Sequence, residues 1–498
     1  MSERRIFEHP ILDFDRGDEF YFDFEGEKVK AYEGETVASA LYADGLRKFT
    51  ESKKLERPRG FFCAIGKCSS CIMSVDGRPH VRTCVTQAEE GMEVKRHGSK
   101  PKFPEVDIGR GKERKEKKIE IAVIGGGPAG LMAAIVSARN GADVHLFDEG
   151  DDLGGQLVKQ THQFFGSHEE DAGTRGIEIG KELVEEARDV GVNIHTETKV
   201  LGYYEEKKIT VEEEGRLTIY DTEGIVYAGG AIENYLSFEN NDLPGVYGAG
   251  GVQTLMNEEG IVPGDKVLMV GSGNVGVIVS YQLLQAGVDV VEVIEALPEI
   301  GGYQVHASKI RRAGVPISTA HTIKKAIGEE KVEGAVVQKI DENWEPVEGT
   351  EREVECDVIC LAVGLSPDTG FLRQADCEME YIGELGGYVP LRTEDMMTTR
   401  RGIYVAGDAA GIEEATVAAL EGKIAGAALF EDLREETEDT RKSKEEAKEG
   451  LVPVVLSMRR CADDWGLRPI LLNHKKGDLR MSRISILPSS FTKGVNCG

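Results

Sequence analysis

Hydrophobic and polar residues alternate in two short segments near the start of the chain, Glu19–Phe24 and Glu27–Tyr32, which are separated by Gly26. A period of two with an intervening glycine predicts a β-hairpin. Apolar residues at helical spacing then predict a helix over Glu35–Leu46, and a cysteine-rich loop follows it. This order of elements predicts a small β-grasp domain.

Between residues 119 and 433, short apolar runs alternate with amphipathic helices and Gly-rich turns. Strands that alternate with helices favour parallel sheets with helices on both faces. The chain is therefore predicted to be an α/β protein with doubly wound sheets, preceded by a small α+β domain. Two highly charged stretches, residues 101–119 and 434–449, are predicted to be solvated connecting segments.

Four cysteines follow the predicted helix with the spacing C-x4-C-x2-C-x12-C, namely Cys63, Cys68, Cys71 and Cys84. A [2Fe–2S] cluster needs four thiolates around two irons, and this spacing is typical of the plant-type arrangement. The segments Ile72–Val75 and Val81–Val85 predict a hairpin that returns the fourth cysteine to the first three. A zinc site or four unrelated buried thiols are the alternatives, but zinc knuckles usually pair two C-x2-C units, and only one occurs here.

A buried strand over Ile119–Ile124 leads into a glycine-rich turn with the pattern G-x-G-x-x-G. In this motif Gly125 makes the tight turn, Gly127 lets the backbone approach a pyrophosphate, and Gly130 permits close packing of helix and strand. The next predicted strand ends in Asp148, a position suited to accept a hydrogen bond from a ribose hydroxyl. This context predicts a dinucleotide site.

The same pattern recurs after the predicted strand Lys266–Val270, with glycines at 271, 273 and 276. The strand that follows it ends at Glu295, and an acid there favours NAD over NADP because it would repel a 2′-phosphate. Packing of a tight turn is the alternative explanation for one such motif. Two copies, each between strands and each followed by an acid, predict two dinucleotide sites.

Three further apolar strands end in glycine turns, at Ala228-Gly229-Gly230, at Gly364 and at Gly407-Asp408. The last is followed by a predicted helix from about Glu413. A carboxylate in front of a helix N-terminus suits the ribityl and phosphate part of a flavin. These segments extend the same α/β pattern to residue 433.

Composition excludes several classes of function. The net charge of −28 argues against a nucleic-acid partner, because nucleic-acid binding needs clustered Lys and Arg. No apolar run is long enough to cross a bilayer, and the N-terminal residues have no signal-peptide pattern, so a cytoplasmic protein is expected. Nine cysteines without a secretion signal indicate a reducing compartment, where clustered cysteines bind metal more often than they form disulfides.

Residues 119–435 resemble the flavoproteins with two dinucleotide-binding domains, in which an NAD domain is inserted into a split FAD domain. The resemblance implies that FAD is held by Gly125, Gly127, Pro128, Ala129, Gly130, Asp148, Glu149, Gly155, Gln156, Leu157, Val200, Ala228, Gly229, Gly230, Gly407, Asp408, Glu414, Ala415 and Thr416. It also implies that NAD or another adenine nucleotide is held by Gly271, Gly273, Asn274, Val275, Gly276, Glu295 and Gly364.

A ferredoxin-like module fused ahead of such a core is similar to the α subunits of heteromeric sarcosine oxidases. It also resembles the large subunits of opine oxidases, hydrogen cyanide synthases and dye-linked proline or hydroxyproline dehydrogenases. Thr161–Gly176 and Gly407–Gly426 are the segments most similar to that group. The resemblance implies an electron-transferring oxidoreductase subunit without an acid–base catalytic residue. It implies as partners a second, FAD-containing catalytic subunit, small subunits, and an electron-acceptor protein or dye.

Two departures from the wider family matter. No C-x-x-C or C-x4-C pair follows either glycine motif, which disfavours disulfide reduction. Gly229 stands where many relatives have threonine. Two other functions stay open: an NADH-dependent oxidoreductase that passes electrons through FAD and the cluster to an acceptor protein, and a cofactor-bearing scaffold whose residues 450–498 dock a partner.

The predicted domain organisation has six parts: residues 1–100, the [2Fe–2S] domain; 101–118, a linker; 119–245, the first part of the FAD domain; 246–350, the NAD-type domain; 351–433, the second part of the FAD domain; and 434–498, a charged linker and extension. His162 and His168 flank an aromatic pair and have either a flavin-proximal or a packing role. Cys356 and Cys360 are expected to be core thiols, whereas Cys461 and Cys497 lie in a tail with no assigned role.

Overall fold

The computed structural model describes residues 4–14, 16–96, 115–164, 173–204, 207–213 and 216–462, with side chains as far as residue 451. The chain forms two compact units. One takes its described residues from Met1–Glu113, Gln156–Lys181 and Ile232–Ser366, and the other from Arg114–Gly155, Glu182–Ala231 and Pro367–Gly498. The tail after residue 462, with Cys497, and the predicted linker up to residue 114 lie outside the described residues.

The first unit begins with a five-stranded sheet around one short helix. In spatial order its strands are Glu27–Tyr32, Glu19–Phe24, Glu93–Arg96, Ile72–Val75 and Arg78–Arg82, and a two-stranded ribbon pairs Thr50–Glu51 with Pro58–Arg59. The helix Val37–Ala43 is shorter than predicted because Thr36 caps it, accepting at Oγ1 from the Ser39 amide at 3.2 Å. The predicted hairpin is confirmed at the residues given.

A parallel sheet forms the second part of this unit. Its strands, in order, are Val246–Gly248, Val358–Leu361, Lys266–Val270, Asp289–Ile294 and Ile317–Ser318. The helices are Ala249–Gln253, continued by a π turn over Thr254–Glu258, then Asn274–Gln285 and Gln304–Arg312. An antiparallel meander of His321–Ile327, Gly334–Lys339 and Arg352–Val354 completes it.

The N-terminal module and this parallel sheet share one hydrophobic core. Buried Leu41 and Tyr42 belong to the same cluster of apolar side chains as Tyr247 and Leu255. The two tyrosine hydroxyl oxygens lie 2.6 Å apart. At the periphery, Arg57 forms an ion pair with Asp242 at 2.6 Å and Arg4 forms one with Asp265 at 2.7 Å. The module is therefore packed into the nucleotide-type domain by a shared core as well as by surface ion pairs.

The second unit is built on a seven-stranded sheet. Its strands run in the order Asn193–His195, Val144–Phe147, Lys115–Ile124, Arg216–Tyr227, Lys208–Glu213 and Lys199–Tyr204, with Ile403–Val405 beside Arg216–Tyr227. Its helices are Pro128–Arg139, Gly370–Gln374, Ala415–Leu433 and Glu438–Ala462, and Gly176–Asp189 joins the two units in sequence. A small ribbon pairs Met379–Ile382 with Gly387–Pro390. The predicted α/β class with doubly wound sheets and an N-terminal α+β module is confirmed.

Two of the places where the chain passes between the units differ from the domain prediction: the first lies after Ala231, earlier than the predicted residue 245, and the second lies after Ser366, later than the predicted residue 350. The strands Ala231–Glu233 and Leu365–Pro367 lie at these two places. Residues 351–366, predicted as the start of the second FAD segment, belong to the first unit, because Val358–Leu361 pairs with Lys266–Val270. A short apolar strand fits the interior of either parallel sheet, so its sequence does not select the partner. The predicted boundary at residue 351 is therefore corrected to Ser366.

Within the described residues, no helix has the length and apolar character needed to cross a bilayer.

Candidate functional site

The cysteine loop brings the four predicted ligands together. Cys63, Cys71 and Cys84 are buried and Cys68 is half-buried. Their thiols hydrogen-bond in two pairs, Cys63 with Cys68 and Cys71 with Cys84. The strand Arg78–Arg82 and the 3-10 turn after it return the fourth cysteine to the loop, as the spacing predicts.

Backbone amides of the loop point at the sulfurs. The amide of Gly66 donates to Sγ of Cys84 at 3.3 Å, and the amide of Cys68 donates to Sγ of Cys63 at 3.4 Å. Ala64, Gly66 and Ser69 all have positive φ, between 57° and 70°. Such a run of left-handed residues turns amides toward a common centre and forms an anion-binding concavity. The loop therefore provides the donors that stabilise thiolates.

The electrostatics of the loop favour thiolate formation at one member of each pair. A hydrogen bond from Cys63 lowers the pKa of the Cys68 thiol to about 5, and a hydrogen bond from Cys84 lowers the pKa of Cys71. Among the described residues, no group of three or more His, Cys, Asp or Glu side chains is arranged around one ion position. Two pairs of thiols fit a cluster in which each of two irons takes two cysteines.

An acidic residue that the sequence did not single out lies near this loop. Glu233 accepts a hydrogen bond at Oε1 from the amide of Gly250 at 2.6 Å, while its buried Oε2 has no hydrogen-bond partner among the described residues. Burial raises the pKa of Glu233 to about 7. Phe62, next to the first cysteine, stacks on Tyr235 at 4.5 Å between ring centroids. The turn Gly229-Gly230 just before Glu233 was the available sequence signal.

The first glycine motif is a strand–turn–helix with contacts that only glycine permits. Gly125 has φ of +103°, and a Cβ there would lie 2.3 Å from the carbonyl oxygen of Ala228. A Cβ on Gly130 would lie 1.8 Å from the carbonyl oxygen of Gly125. A Cβ on Gly127 would meet only the backbone of Gly155, at 3.9 Å. The space in front of the helix Pro128–Arg139 is thus open for a pyrophosphate, as FAD requires.

Asp148, at the end of the strand that follows the first glycine motif, accepts hydrogen bonds from backbone amides of the motif and of the next turn. Asp148 accepts at Oδ2 from the amide of Gly126 at 2.6 Å and at Oδ1 from the amide of Gly150 at 2.7 Å. The next residue, Glu149, forms an ion pair with Lys199 at 2.7 Å. Both carboxylates therefore stand at the edge of the turn where the ribose hydroxyls of a dinucleotide bind.

The other end of this candidate site is formed around Gly407 and Asp408. Asp408 lies in a 3-10 turn after the strand Ile403–Val405, and burial raises its pKa to about 6. The amide of Gly407 donates to Oε2 of the buried Glu421 at 2.9 Å, and Oε1 accepts from Arg392 at 2.6 Å. Glu421 is not among the predicted residues, since a glutamate inside a helix resembles a solvated position.

The second glycine motif has nearly the same backbone geometry and close contacts as the first. Gly271 has φ of +106°, and its Cβ would lie 2.3 Å from the carbonyl oxygen of Ala362. A Cβ on Gly276 would lie 2.1 Å from the carbonyl oxygen of Gly271, whereas one on Gly273 would meet nothing within 4 Å. Glu295 accepts at Oε2 from the amide of Ser272 at 2.8 Å, as Asp148 does from the first loop. This geometry fits an adenine nucleotide at the second site.

A second loop covers each glycine motif, and one of them was not anticipated. The amide of Gly154 donates to the carbonyl of Gly126 at 2.8 Å, and the amide of Gly302 donates to the carbonyl of Ser272, also at 2.8 Å. Asn274 accepts at Oδ1 from the Tyr303 amide. The sequence signal was present, because a Gly-Gly pair begins six residues after Asp148 and again six residues after Glu295.

The remaining predicted positions lie on several elements of the two units. They are distributed as follows: Gln156 and Leu157 in the 3-10 turn Gly155–Lys159; Val200 in Lys199–Tyr204; Ala228, Gly229 and Gly230 directly after Arg216–Tyr227; Glu414 as the N-cap of the helix that Ala415 and Thr416 begin; Val275 in the helix Asn274–Gln285; and Gly364 after Val358–Leu361. Cys360 is buried in that last strand and Cys356 is buried just before it, as core thiols.

Known proteins with similar sequences are components of heteromeric oxidases. The A subunit of the opine oxidase of Rhizobium meliloti (strain 1021) is 29% identical over 62% of this chain and 70% of its own length. The alpha subunit of the sarcosine oxidase of Corynebacterium sp. (strain P-1) is 26% identical over 76% of this chain. The match spans only 41% of the length of that sarcosine oxidase chain.

Solved structures agree on the fold. The L-proline dehydrogenase structure from P. horikoshii aligns with 89% of this chain and 79% of its own, at a TM-score of 0.69 and 27% identity. The thioredoxin reductase of T. acidophilum aligns with 63% of this chain and 98% of its own, at a TM-score of 0.52 and 20% identity, which shows the shared fold alone.

Family models match both the cysteine loop and the two glycine motifs. A 2Fe-2S iron-sulfur cluster binding domain matches residues 17–99, which contain all four cysteines of the loop. The pyridine nucleotide-disulphide oxidoreductase model matches residues 119–422, which contain both glycine motifs. The predicted FAD, [2Fe–2S] and NAD-type cofactors are thereby confirmed as those of its domains. The chain belongs to the pyridine nucleotide-disulphide oxidoreductase family, in a form that carries an N-terminal 2Fe–2S domain.

Proposed function

We propose that this chain is the electron-transferring subunit of a heteromeric dehydrogenase or oxidase that acts on amino or imino acids. The observation that carries the proposal is the cysteine loop, which presents two pairs of thiols and belongs to the same polypeptide as two dinucleotide-type glycine motifs. FAD exchanges two electrons and a [2Fe–2S] cluster one at a time, so a chain with both converts electron pairs into single electrons.

In the proposed function, the residues of this chain bind and orient the cluster and FAD. The amides of Gly66 and Cys68 donate to cysteine sulfurs and stabilise thiolates. The open backbone at Gly127 receives the pyrophosphate of FAD, with Asp148 at the ribose and Asp408 at the ribityl–phosphate end. No C-x-x-C or C-x4-C pair follows either glycine motif, so disulfide reduction is not the reaction we propose.

The partners in this proposal follow from the relatives. The similar chains of opine oxidase, sarcosine oxidase and hydrogen cyanide synthase are all named as subunits. These names support other subunits as partners of this chain. We propose that they include a second, FAD-containing catalytic subunit and small subunits, and that an electron-acceptor protein or dye takes up the electrons. The free cysteines of the described residues accord with a reducing compartment, and we place the complex in the cytoplasm.

A second candidate function is an NADH-dependent oxidoreductase that needs no catalytic partner. The observation that favours it is Glu295, which stands at the ribose position of the second glycine loop, beside the amide of Ser272. An acid there favours NAD over NADP. Under this alternative, NADH reduces the flavin of the isolated chain directly.

The experiment compares the isolated chain with the complex purified through a tag from its source cells. Each is incubated anaerobically with sarcosine, L-proline or hydroxyproline and a redox dye. We expect the isolated, cofactor-loaded chain to leave the dye oxidised and the complex to reduce it with at least one of these substrates. Dye reduction by the isolated chain would overturn the assignment as an electron-transferring subunit.

A further inference from the structure

A cavity of about 180 Å³ lies beside the helices Asn274–Gln285 and Gln304–Arg312, and none of the residues Gly271–Gly276 lines it. Its lining combines apolar, amide and basic side chains from within the first unit, among them His162, Arg175, Tyr281, Gln282, His306 and Lys309. Four residues of the segment Thr161–Gly176 thus line the cavity: Thr161, His162, Gln163 and Arg175. His168, the other histidine of the segment, lies outside the described residues.

The charge of this lining is opposite to that of the chain. Arg175 and Lys309 are cationic, and His162 and His306 accept a proton. None of the eleven lining residues is Asp or Glu, although the chain has 88 acidic and only 60 basic residues. Glu178 lies outside the lining and approaches Arg175 at 3.6 Å, with half of its side chain exposed. The described lining of the cavity is therefore basic, on an acidic protein.

His162 is the group in this cavity whose hydrogen bonding is incomplete. Its Nδ1 is buried and has no hydrogen-bond partner among the described residues. The ring stacks on Phe164 and meets the edge of His306, in both cases at 5.7 Å between centroids. Burial, followed by the charges of His306 and Lys309, lowers the pKa of His162 to about 4. Desolvation first, and then the neighbouring His306 and Lys309, keep this imidazole neutral, and an anion that approaches it favours its protonation.

The other polar groups around the cavity are held in place. Arg175 donates from Nε to the carbonyl oxygen of Thr161 at 3.1 Å, which fixes the plane of its guanidinium. Gln282 donates to Oγ1 of Thr161 at 2.9 Å. The ammonium of Lys309 lies 5.4 Å from the centre of the Tyr281 ring. Fixed donors of this kind suit a planar or tetrahedral oxyanion.

We propose that this cavity is a binding site for a small oxyanion, the carboxylate or phosphate group of a polar metabolite, held by His162, His306, Lys309 and Arg175. Binding takes up a proton on the imidazole of His162. The site is separate from both glycine motifs and does not depend on the function proposed above.

The test is calorimetric titration of the cofactor-loaded protein at pH 7 with inorganic phosphate and, separately, with succinate. Each titration is repeated in two buffers of different ionisation enthalpy, which measures proton uptake. We expect saturable binding of at least one probe with uptake of about one proton per anion. Binding of phosphate alone or of succinate alone identifies which oxyanion chemistry the site prefers. Proton exchange that persists in His162→Phe belongs to the phosphate itself or to anions bound elsewhere, and it does not count toward the uptake by His162.

Three variants decide the assignment. His162→Phe keeps the ring stacking, removes the proton uptake and weakens binding by about tenfold or more. Lys309→Met weakens binding by a similar factor, and remains informative if His162→Phe does not fold. His321 lies in the same unit but outside the cavity, and His321→Phe is expected to leave the anion affinity and the proton uptake unchanged. Absence of His162-dependent proton uptake with both probes, or wild-type affinity in both cavity variants, overturns the proposal.

Discussion

At Gly125 and Gly271 the backbone adopts positive φ, and a Cβ at either position would lie 2.3 Å from a carbonyl oxygen of a neighbouring strand end. At Gly127 and Gly273 a Cβ would find space. The glycines of one motif thus have two different reasons to be glycine. The first is required by the fold, and the middle one by the molecule that binds.

Gly127→Ala is predicted to lower FAD affinity by about tenfold or more, because the added methyl occupies the path of the pyrophosphate. Thermal unfolding of the cofactor-free protein should stay close to wild type, since the nearest atom to the new Cβ is 3.9 Å away. Gly273→Ala is the matched control and should leave FAD affinity unchanged. Equilibrium dialysis measures the FAD affinity of both variants. Equal affinities would contradict the assignment of FAD to the first glycine motif.

Cys84→Ser is predicted to abolish the [2Fe–2S] cluster while FAD is retained, because Cys84 is one half of a thiol pair. Iron analysis and EPR of the reduced protein measure the cluster, and absorbance measures the flavin. Cys356→Ser is the control, since Cys356 is equally buried but belongs to the hydrophobic core. A full cluster signal in Cys84→Ser would contradict the ligand assignment.

At the scale of elements, local sequence patterns predicted where strands occur, but they did not predict which strands are neighbours in a sheet. The strands Glu19–Phe24, Lys266–Val270 and Asp289–Ile294 occur at the predicted residues because alternation and apolar runs are local signals. The strand Val358–Leu361 was predicted in the second part of the FAD domain but pairs with Lys266–Val270, because an apolar run specifies burial and does not specify the neighbouring strand. The shared core around Tyr42 and Tyr247 depends on residues more than two hundred positions apart, beyond any local pattern.

The two helices on one face of the second unit pack with their backbones in contact. A Cβ on Gly422 would lie 2.0 Å from the carbonyl oxygen of Ala129, and one on Gly426 would lie 2.4 Å from that of Ala133. The helices are Ala415–Leu433 and Pro128–Arg139, the latter beginning at the first glycine motif. Their close approach positions the start of that helix.

Gly426→Ala is therefore predicted to destabilise the protein by about 2 kcal/mol or more, because neither backbone can yield without separating the helices. Gly450→Ala is the matched control, since its Cβ would meet only the flexible side chain of Leu420 at 3.3 Å. A helical Gly→Ala change of that kind alters stability by at most about 1 kcal/mol. Urea unfolding measures both, and equal stabilities would contradict the account of this helix pair.

At the scale of the whole molecule, a carboxyl group that the fold keeps protonated links the cysteine module to the nucleotide-type domain. Glu259 accepts from the amide of Thr36, at the N-cap of the helix Val37–Ala43, at 3.4 Å. Burial raises the pKa of Glu259 to about 8. The folded state therefore holds this proton more tightly than the unfolded chain does.

The sign of the pH effect follows. The protonated carboxyl stabilises the fold fully below the unfolded pKa of about 4.5, and this stabilisation is lost as the pH rises through 8. Glu259→Gln should thus gain stability relative to wild type between pH 5 and pH 9, by at most about 4 kcal/mol. Unfolding by urea at the two pH values measures this. Glu330→Gln, an exposed glutamate, is the control, and a pH-independent difference for Glu259→Gln would contradict the assignment.

We propose above that this chain receives electrons from a partner subunit and transfers them between FAD and a [2Fe–2S] cluster. The most direct measurement is an anaerobic titration of the purified, cofactor-loaded chain with NADH and then with dithionite, followed by visible absorbance and EPR. The account predicts an unchanged flavin spectrum with NADH. Dithionite should then reduce the flavin and produce a cluster signal of about one spin per chain. Immediate flavin bleaching by NADH, followed by the cluster signal, would contradict the claim and establish an NADH-dependent oxidoreductase instead.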